Sequence, residues 1–150
     1  MTSPVCYALD REPSDGPSWA PEPEDYARNA FVASGRILVV DDEHIVRRWI
    51  TRLLEEAGYT VLTASDGDEA LGMALEDPVG VDLIVTDVRM PGMDGWQLGR
   101  RIRAAWPGLP VLYISGYDLH QSAPGPHAFL RKPFESEDLL RRVADLLRTR

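Results

Sequence analysis

The side chains best suited to chemistry in this sequence stand at the ends of short apolar runs. Ile37-Leu38-Val39-Val40 leads into Asp41 and Asp42, Val81-Asp82-Leu83-Ile84-Val85 into Asp87, Val111-Leu112-Tyr113-Ile114 into Ser115, and Ala128-Phe129-Leu130 into Lys132. Three carboxylates gathered at one edge repel by about 4 kcal/mol per close pair at an effective dielectric near 20, so the cluster requires a positive partner. A hard divalent cation held by one or two carboxylates, with waters and a phosphoryl oxygen completing an octahedron, is how magnesium is normally bound. Asp42 alone, just before Glu43, would serve as a helix N-cap; alongside Asp41 and Asp87 it reads as a metal ligand. An aspartate carboxylate can also attack phosphorus to give an aspartyl phosphate. Asp87 ends the most apolar strand and is the candidate nucleophile. Phosphoryl transfer is catalysed by positioning and by cations around the transferring oxygens, and magnesium, Lys132 and the Ser115 hydroxyl would supply them. Taken singly, Lys132 reads as a solvated lysine and Ser115 as a turn residue before Gly116; their common place at strand ends makes them a candidate site.

That placement depends on the elements between. From Arg36 onward, β-branched runs (with Tyr59-Thr60-Val61-Leu62 as the second) alternate with helical patterns, the form of repeated βαβ units around a parallel sheet. The first, third and fourth runs are nearly unbroken apolar stretches, as expected of central strands covered on both faces. Ligands of such sheets bind beyond the carboxyl ends of the strands. Ile45, Trp49 and Leu53 with Val46, Ile50 and Leu54 repeat at helical spacing, and Gly58 stops that helix. Asp66 to Glu76, Asp94 to Trp106 and Ser136 to about Arg148 make three more; the last buries Leu139, Leu140, Val143, Leu146 and Leu147. Trp49 and Trp96 read as core or helix-surface residues.

Composition narrows the class. The 150 residues, 44% hydrophobic, suffice for one core. A net charge of −8 argues against nucleic-acid binding, which needs a lysine and arginine surface. The single Cys6 permits no internal disulfide and fits a reducing compartment, and the three histidines and Cys6 show no metal-ligand spacing. No apolar run spans a bilayer and the start lacks a signal-peptide pattern, so a cytoplasmic location without membrane contact is expected. Residues 1 to 34 carry five prolines and six acidic against two basic residues, without apolar periodicity. They read as a disordered, acidic, Pro-rich tail, and residues 35 to 150 as the folded domain.

Four stretches carry a family resemblance: Ile37-Leu38-Val39-Val40-Asp41-Asp42-Glu43, Asp87-Val88-Arg89-Met90-Pro91-Gly92-Met93-Asp94-Gly95, Ile114-Ser115-Gly116-Tyr117, and Phe129-Leu130-Arg131-Lys132-Pro133-Phe134. In this order and at strand ends they resemble the receiver domain of bacterial two-component response regulators, most closely receivers associated with hybrid sensor kinases. The resemblance covers residues 36 to 150. It implies a flavodoxin-like, doubly wound α/β fold with a five-stranded parallel sheet in order 2-1-3-4-5. It further implies that Asp87 is the phosphoacceptor and that Asp41, Asp42, Asp87 and the Arg89 carbonyl bind Mg2+. By the same resemblance, Ser115 and Lys132 hold phosphoryl oxygens, Phe129 is a switch aromatic that follows Ser115, and the bond to Pro133 is cis. Arg89 and Tyr117 would flank the acceptor and tune hydrolysis. The donor would be a sensor histidine kinase or a histidine phosphotransfer protein.

One departure stands out: only 13 residues separate Ser115 from Phe129, and Pro124-Gly125-Pro126 ends that segment. The helix between the fourth and fifth strands is expected to be short or absent. With no DNA-binding or catalytic segment after Arg150, a single-domain regulator signalling to a downstream protein, or a phosphate shuttle or sink, is the expected role. Its chemistry would be confined to its own phosphorylation and dephosphorylation, and it would not be an enzyme acting on a separate substrate. Two alternatives stand beside this. A magnesium-dependent phosphatase of the haloacid dehalogenase type would need its nucleophile on the first strand, with an aspartate two residues on, where Glu43 stands. A receiver-like interaction domain without phosphorylation would not need the acceptor, ligands, hydroxyl and lysine that are all present.

Overall fold

The computed structural model describes residues 34–77, 80–116 and 128–149. Five strands, β1 (Arg36–Val40), β2 (Thr60–Ala64), β3 (Leu83–Asp87), β4 (Val111–Ser115) and β5 (Ala128–Arg131), form one parallel sheet in the order β2-β1-β3-β4-β5. Four helices join or flank them: α1 (His44–Glu56), α2 (Gly67–Glu76), α3 (Gly95–Ala105) and α4 (Ser136–Thr149). The expected flavodoxin-like order is therefore the observed one, with β1, β3 and β4 at the centre.

Alternation along the central strands builds two cores, because successive strand side chains point to opposite faces. Leu38, Val40, Ile84, Val111 and Tyr113 pack with Ala70 and Ala74 of α2 and with Trp96, Leu98 and Ile102 of α3. On the other face Ile37, Val39, Leu83, Val85, Leu112 and Ile114 pack with Ile50 and Leu54 of α1 and with Leu139 and Val143 of α4. Burial of one such aliphatic side chain contributes about 1.5–3 kcal/mol. Register is thereby fixed, since slipping a central strand by one residue would exchange its two buried sets.

The helix ends are specified locally. Asp94 and Gln97 form a reciprocal capping box on α3, and Asp66 accepts the Glu69 N–H on α2. Gly58, at φ 107°, turns the chain out of α1, and Gly92, at φ 75°, bends the β3–α3 loop. Ile45 departs from the periodic reading: it is 80% exposed, while Ile50 and Leu54 carry the buried face of α1. No helix among the described residues is long and apolar enough to cross a membrane. Residues 1–33 of the N-terminal tail, Tyr117 and the segment 117–127, where the helix before β5 is expected to be short or absent, lie outside the described residues.

A candidate acidic phosphoryl site

The sheet brings the strand-end residues to one edge. Val40 pairs with Thr86 across β1 and β3, so the next residues, Asp41 and Asp87, emerge at the same edge of the sheet. One carboxylate oxygen from each of Asp41, Asp42 and Asp87 lies within 4.8 Å of the others. Ser115 is the last residue of β4, and its carbonyl accepts the Lys132 N–H at 2.8 Å just past β5. Asp42, Glu43, Asp87, Arg89, Ser115, Gly116 and Lys132 line a common cleft of about 310 Å³.

Asp42 does not cap α1. That position belongs to Glu43, whose side chain makes no capping bond. Asp41 is buried, and its Oδ1 accepts the Glu43 N–H at 2.8 Å. Burial raises its pKa from 3.8 to about 6; the Glu43 N–H opposes the rise, and the neighbouring Asp87 adds to it. Asp87 is also buried, and desolvation lifts its pKa against the pull of Lys132 and the Val88 N–H. Its Oδ1 accepts from Val88 N–H at 3.0 Å and lies 3.6 Å from Lys132 Nζ. Both contacts fall on one oxygen, which makes the two carboxylate oxygens inequivalent. Hard oxygen donors at this spacing, two of them (Asp41 and Asp87) buried at an energetic cost that a cation would offset and Asp42 exposed, fit a magnesium ion.

Three more of the residues singled out in the sequence lie among the described residues. Arg89 is exposed at the rim, two residues beyond Asp87. Phe129 is half-buried on β5 and packs at the edge of the core that contains its strand partner Tyr113. The Lys132–Pro133 bond is cis. Sequence reasoning did not single out Glu43 and Gly116 as lining residues, nor the backbone N–H groups of Glu43 and Val88 that hold the two buried carboxylates. Backbone donors carry no residue-type signal. Gly95 could have been found: its N–H bonds the Val88 carbonyl at 2.8 Å, and a Cβ there would overlap the carbonyl oxygen of Asp87. A glycine opening a helix after a loop that returns to a strand end hints at such close approach.

Comparison with known proteins gives the family. Residues 37–144 match the model of the response regulator receiver domain. The chain belongs to that family. It is 36% identical over 118 residues to the transcriptional regulatory protein HprR of Escherichia coli K12, covering 75% of this chain and 52% of that protein. With the response regulator MprA of Mycobacterium ulcerans it shares 42% over 120 residues, 77% of this chain and 51% of the relative. This receiver chain thus spans about half the length of the curated relatives it matches. Among solved structures, the receiver domain of the hybrid histidine kinase CckA superposes with a TM-score of 0.67 at 43% identity, covering 75% of this chain and 99% of that one. The resemblance to receivers of hybrid kinases holds in that match.

Proposed function

We propose that this receiver is a phosphorylation switch whose acceptor is Asp87. The observation that carries the reading is the convergence of Asp41, Asp42 and Asp87 within 4.8 Å, with the amine of Lys132 3.6 Å from Asp87 Oδ1. Asp41, Asp42, Asp87 and the Arg89 carbonyl would hold Mg2+. Bound there, the ion would supply positive charge to the transferring phosphoryl oxygens. A carboxylate oxygen of Asp87 forms the new O–P bond as the P–N bond of a phosphohistidine donor breaks, and the departing imidazole nitrogen takes up a proton. Lys132 opposes the desolvation that raises the Asp87 pKa, favouring the ionised carboxylate before transfer, and then pairs with a phosphoryl oxygen, while the Ser115 hydroxyl donates to another. Ser115 moving toward the phosphate would release Phe129 inward, and that is the proposed switch.

The acceptor is the chain's own side chain, so the reaction is self-directed phosphotransfer followed by autodephosphorylation, with no separate substrate turned over. The donor is a sensor histidine kinase or a histidine phosphotransfer protein, and the output a contact with a downstream protein. Mixing the chain with an autophosphorylated histidine kinase tests the reading: label should move to the chain with Mg2+ and stay on the kinase in chelator. Transfer that proceeds equally in chelator, or to an Asp87→Asn variant, would contradict it.

A further inference from the structure

The turn that carries Asp41 and Asp42 has an unusual fastening. The N-cap of α1, Glu43, makes no side-chain capping bond, and the first turn of the helix holds no acidic residue. Instead Arg47, at the end of the first turn of α1, reaches back, and its Nη1 donates to the main-chain carbonyl of Asp41 at 2.6 Å. The contact is short and half-buried, and a hydrogen bond from a charged donor is roughly twice as strong as a neutral one. Asp41 is further held by its own N–H, which donates to the Ala64 carbonyl at 3.3 Å, and by the Glu43 N–H on its Oδ1.

The choice of acceptor matters. Lys132 points its charge at a carboxylate oxygen of Asp87. Arg47 takes a backbone oxygen and so consumes none of the carboxylate oxygens that a cation would need. We propose that Arg47 is a positioning residue for the cation site: by gripping the Asp41 carbonyl it fixes the β1–α1 turn, sets where the Asp41 and Asp42 oxygens stand, and thereby sets the affinity for magnesium. This rests on the reading of Asp41, Asp42 and Asp87 as the magnesium site. Magnesium demands near-ideal octahedral geometry, and residues that orient metal ligands commonly govern affinity by about 10–100-fold.

The sign of the effect separates this from simple electrostatics. Removing a positive charge beside the acidic cluster would by itself tighten cation binding, whereas losing the grip weakens it. Calorimetric titration of the full chain with magnesium chloride, without phosphodonor, reads the difference. Arg47→Ala should weaken magnesium binding about tenfold, and Arg47→Lys, which keeps a charged donor, should recover part of the loss. Arg48→Ala, an exposed neighbour on the same helix, should leave it unchanged or slightly tighter. With acetyl phosphate, the magnesium concentration for half-maximal phosphorylation should rise in Arg47→Ala while the plateau at saturating magnesium stays, a split that general destabilisation does not produce. If Arg47→Ala does not fold, Arg47→Gln, which keeps a donor amide without the charge, is expected to bind more weakly than wild type. Unchanged or tighter binding in the folded Arg47 variants, with wild type binding magnesium, would overturn the inference alone. A wild-type chain that binds no magnesium would overturn the cation-site reading and this inference together.

Discussion

The amine of Lys132 lies 3.6 Å from Oδ1 of Asp87, although the two residues are 45 positions apart in sequence and separated in the sheet by β4. The ladder makes the meeting possible. β3, β4 and β5 are parallel and in register, and the Lys132 N–H continues the ladder beyond the last pair, Ser115 with Arg131.

Lys132 is also the only lysine in the sequence. An amine-reactive reagent can therefore modify this chain at Lys132 and at the terminal amine alone. If Lys132 holds phosphoryl oxygens, beryllofluoride with Mg2+ should reduce labelling at Lys132 severalfold and leave the terminal amine unaffected, as read by peptide mass spectrometry. Equal labelling of Lys132 with and without the mimic would remove it from the site.

Burial of Asp41 makes a pH signature. Its pKa in the folded chain, about 6, lies above the ordinary 3.8, so the folded state binds this proton more tightly than the unfolded chain does. The associated stability is fully present below about pH 4 and lost as pH rises through 6. The rise corresponds to a ceiling of about 3 kcal/mol at pH 7. Asp41→Asn should therefore be more stable than wild type at pH 7 in chelator, by about 1–3 kcal/mol, with the difference shrinking toward pH 4. Added Mg2+ should raise the melting temperature of wild type more than that of the variant. Urea denaturation across this range measures it; a variant less stable than wild type at pH 7 in chelator would reverse the sign.

Two glycines predict opposite outcomes. A Cβ at Gly95 would overlap the Asp87 carbonyl oxygen and crowd the Val88 backbone, neither of which can swing aside as a side-chain tip can. Gly95→Ala should cost about 2 kcal/mol or more and lower phosphorylation by displacing Asp87. Gly72 is exposed in α2, and a Cβ there would meet open space, so Gly72→Ala should gain about 0.5–1 kcal/mol. Denaturation midpoints of the two variants, compared with wild type, decide both.

Arg89 stands at the rim of the cleft that Asp87 also lines, and its proposed role is to screen the acceptor from a hydrolytic water. Arg89→Ala should shorten the lifetime of the phosphorylated form several-fold while leaving the Asp87→Asn variant unphosphorylatable, followed by the decay of the phosphorylated mass. An unchanged decay rate would mean that the arginine does not screen the acceptor.

Much of this site was legible because a parallel sheet converts sequence position into spatial position. Once four apolar runs are read as strands, Asp41, Asp42, Asp87, Ser115 and Lys132 must share an edge. The two faces of the core were legible in outline for the same reason. Ile45 stands in solvent because hydrophobic periodicity over two helical turns does not say which of two adjacent apolar rows faces the core; that row runs through Val46, Ile50 and Leu54. Arg47 was invisible because an arginine on an amphipathic helix reads as solvated, and only coordinates show its side chain returning to the Asp41 carbonyl. The N–H groups of Glu43 and Val88 belong to the same category, since every residue but proline has one.

The central claim is that Asp87 is the residue phosphorylated. Borohydride reduces an aspartyl phosphate to homoserine, which marks the position permanently for tandem mass spectrometry. After incubation with acetyl phosphate and Mg2+, reduction should place homoserine at position 87 and at no other aspartate, and omission of Mg2+ should abolish it. Homoserine at Asp41 or Asp42, or a phosphate adduct that persists in Asp87→Asn, would contradict the account.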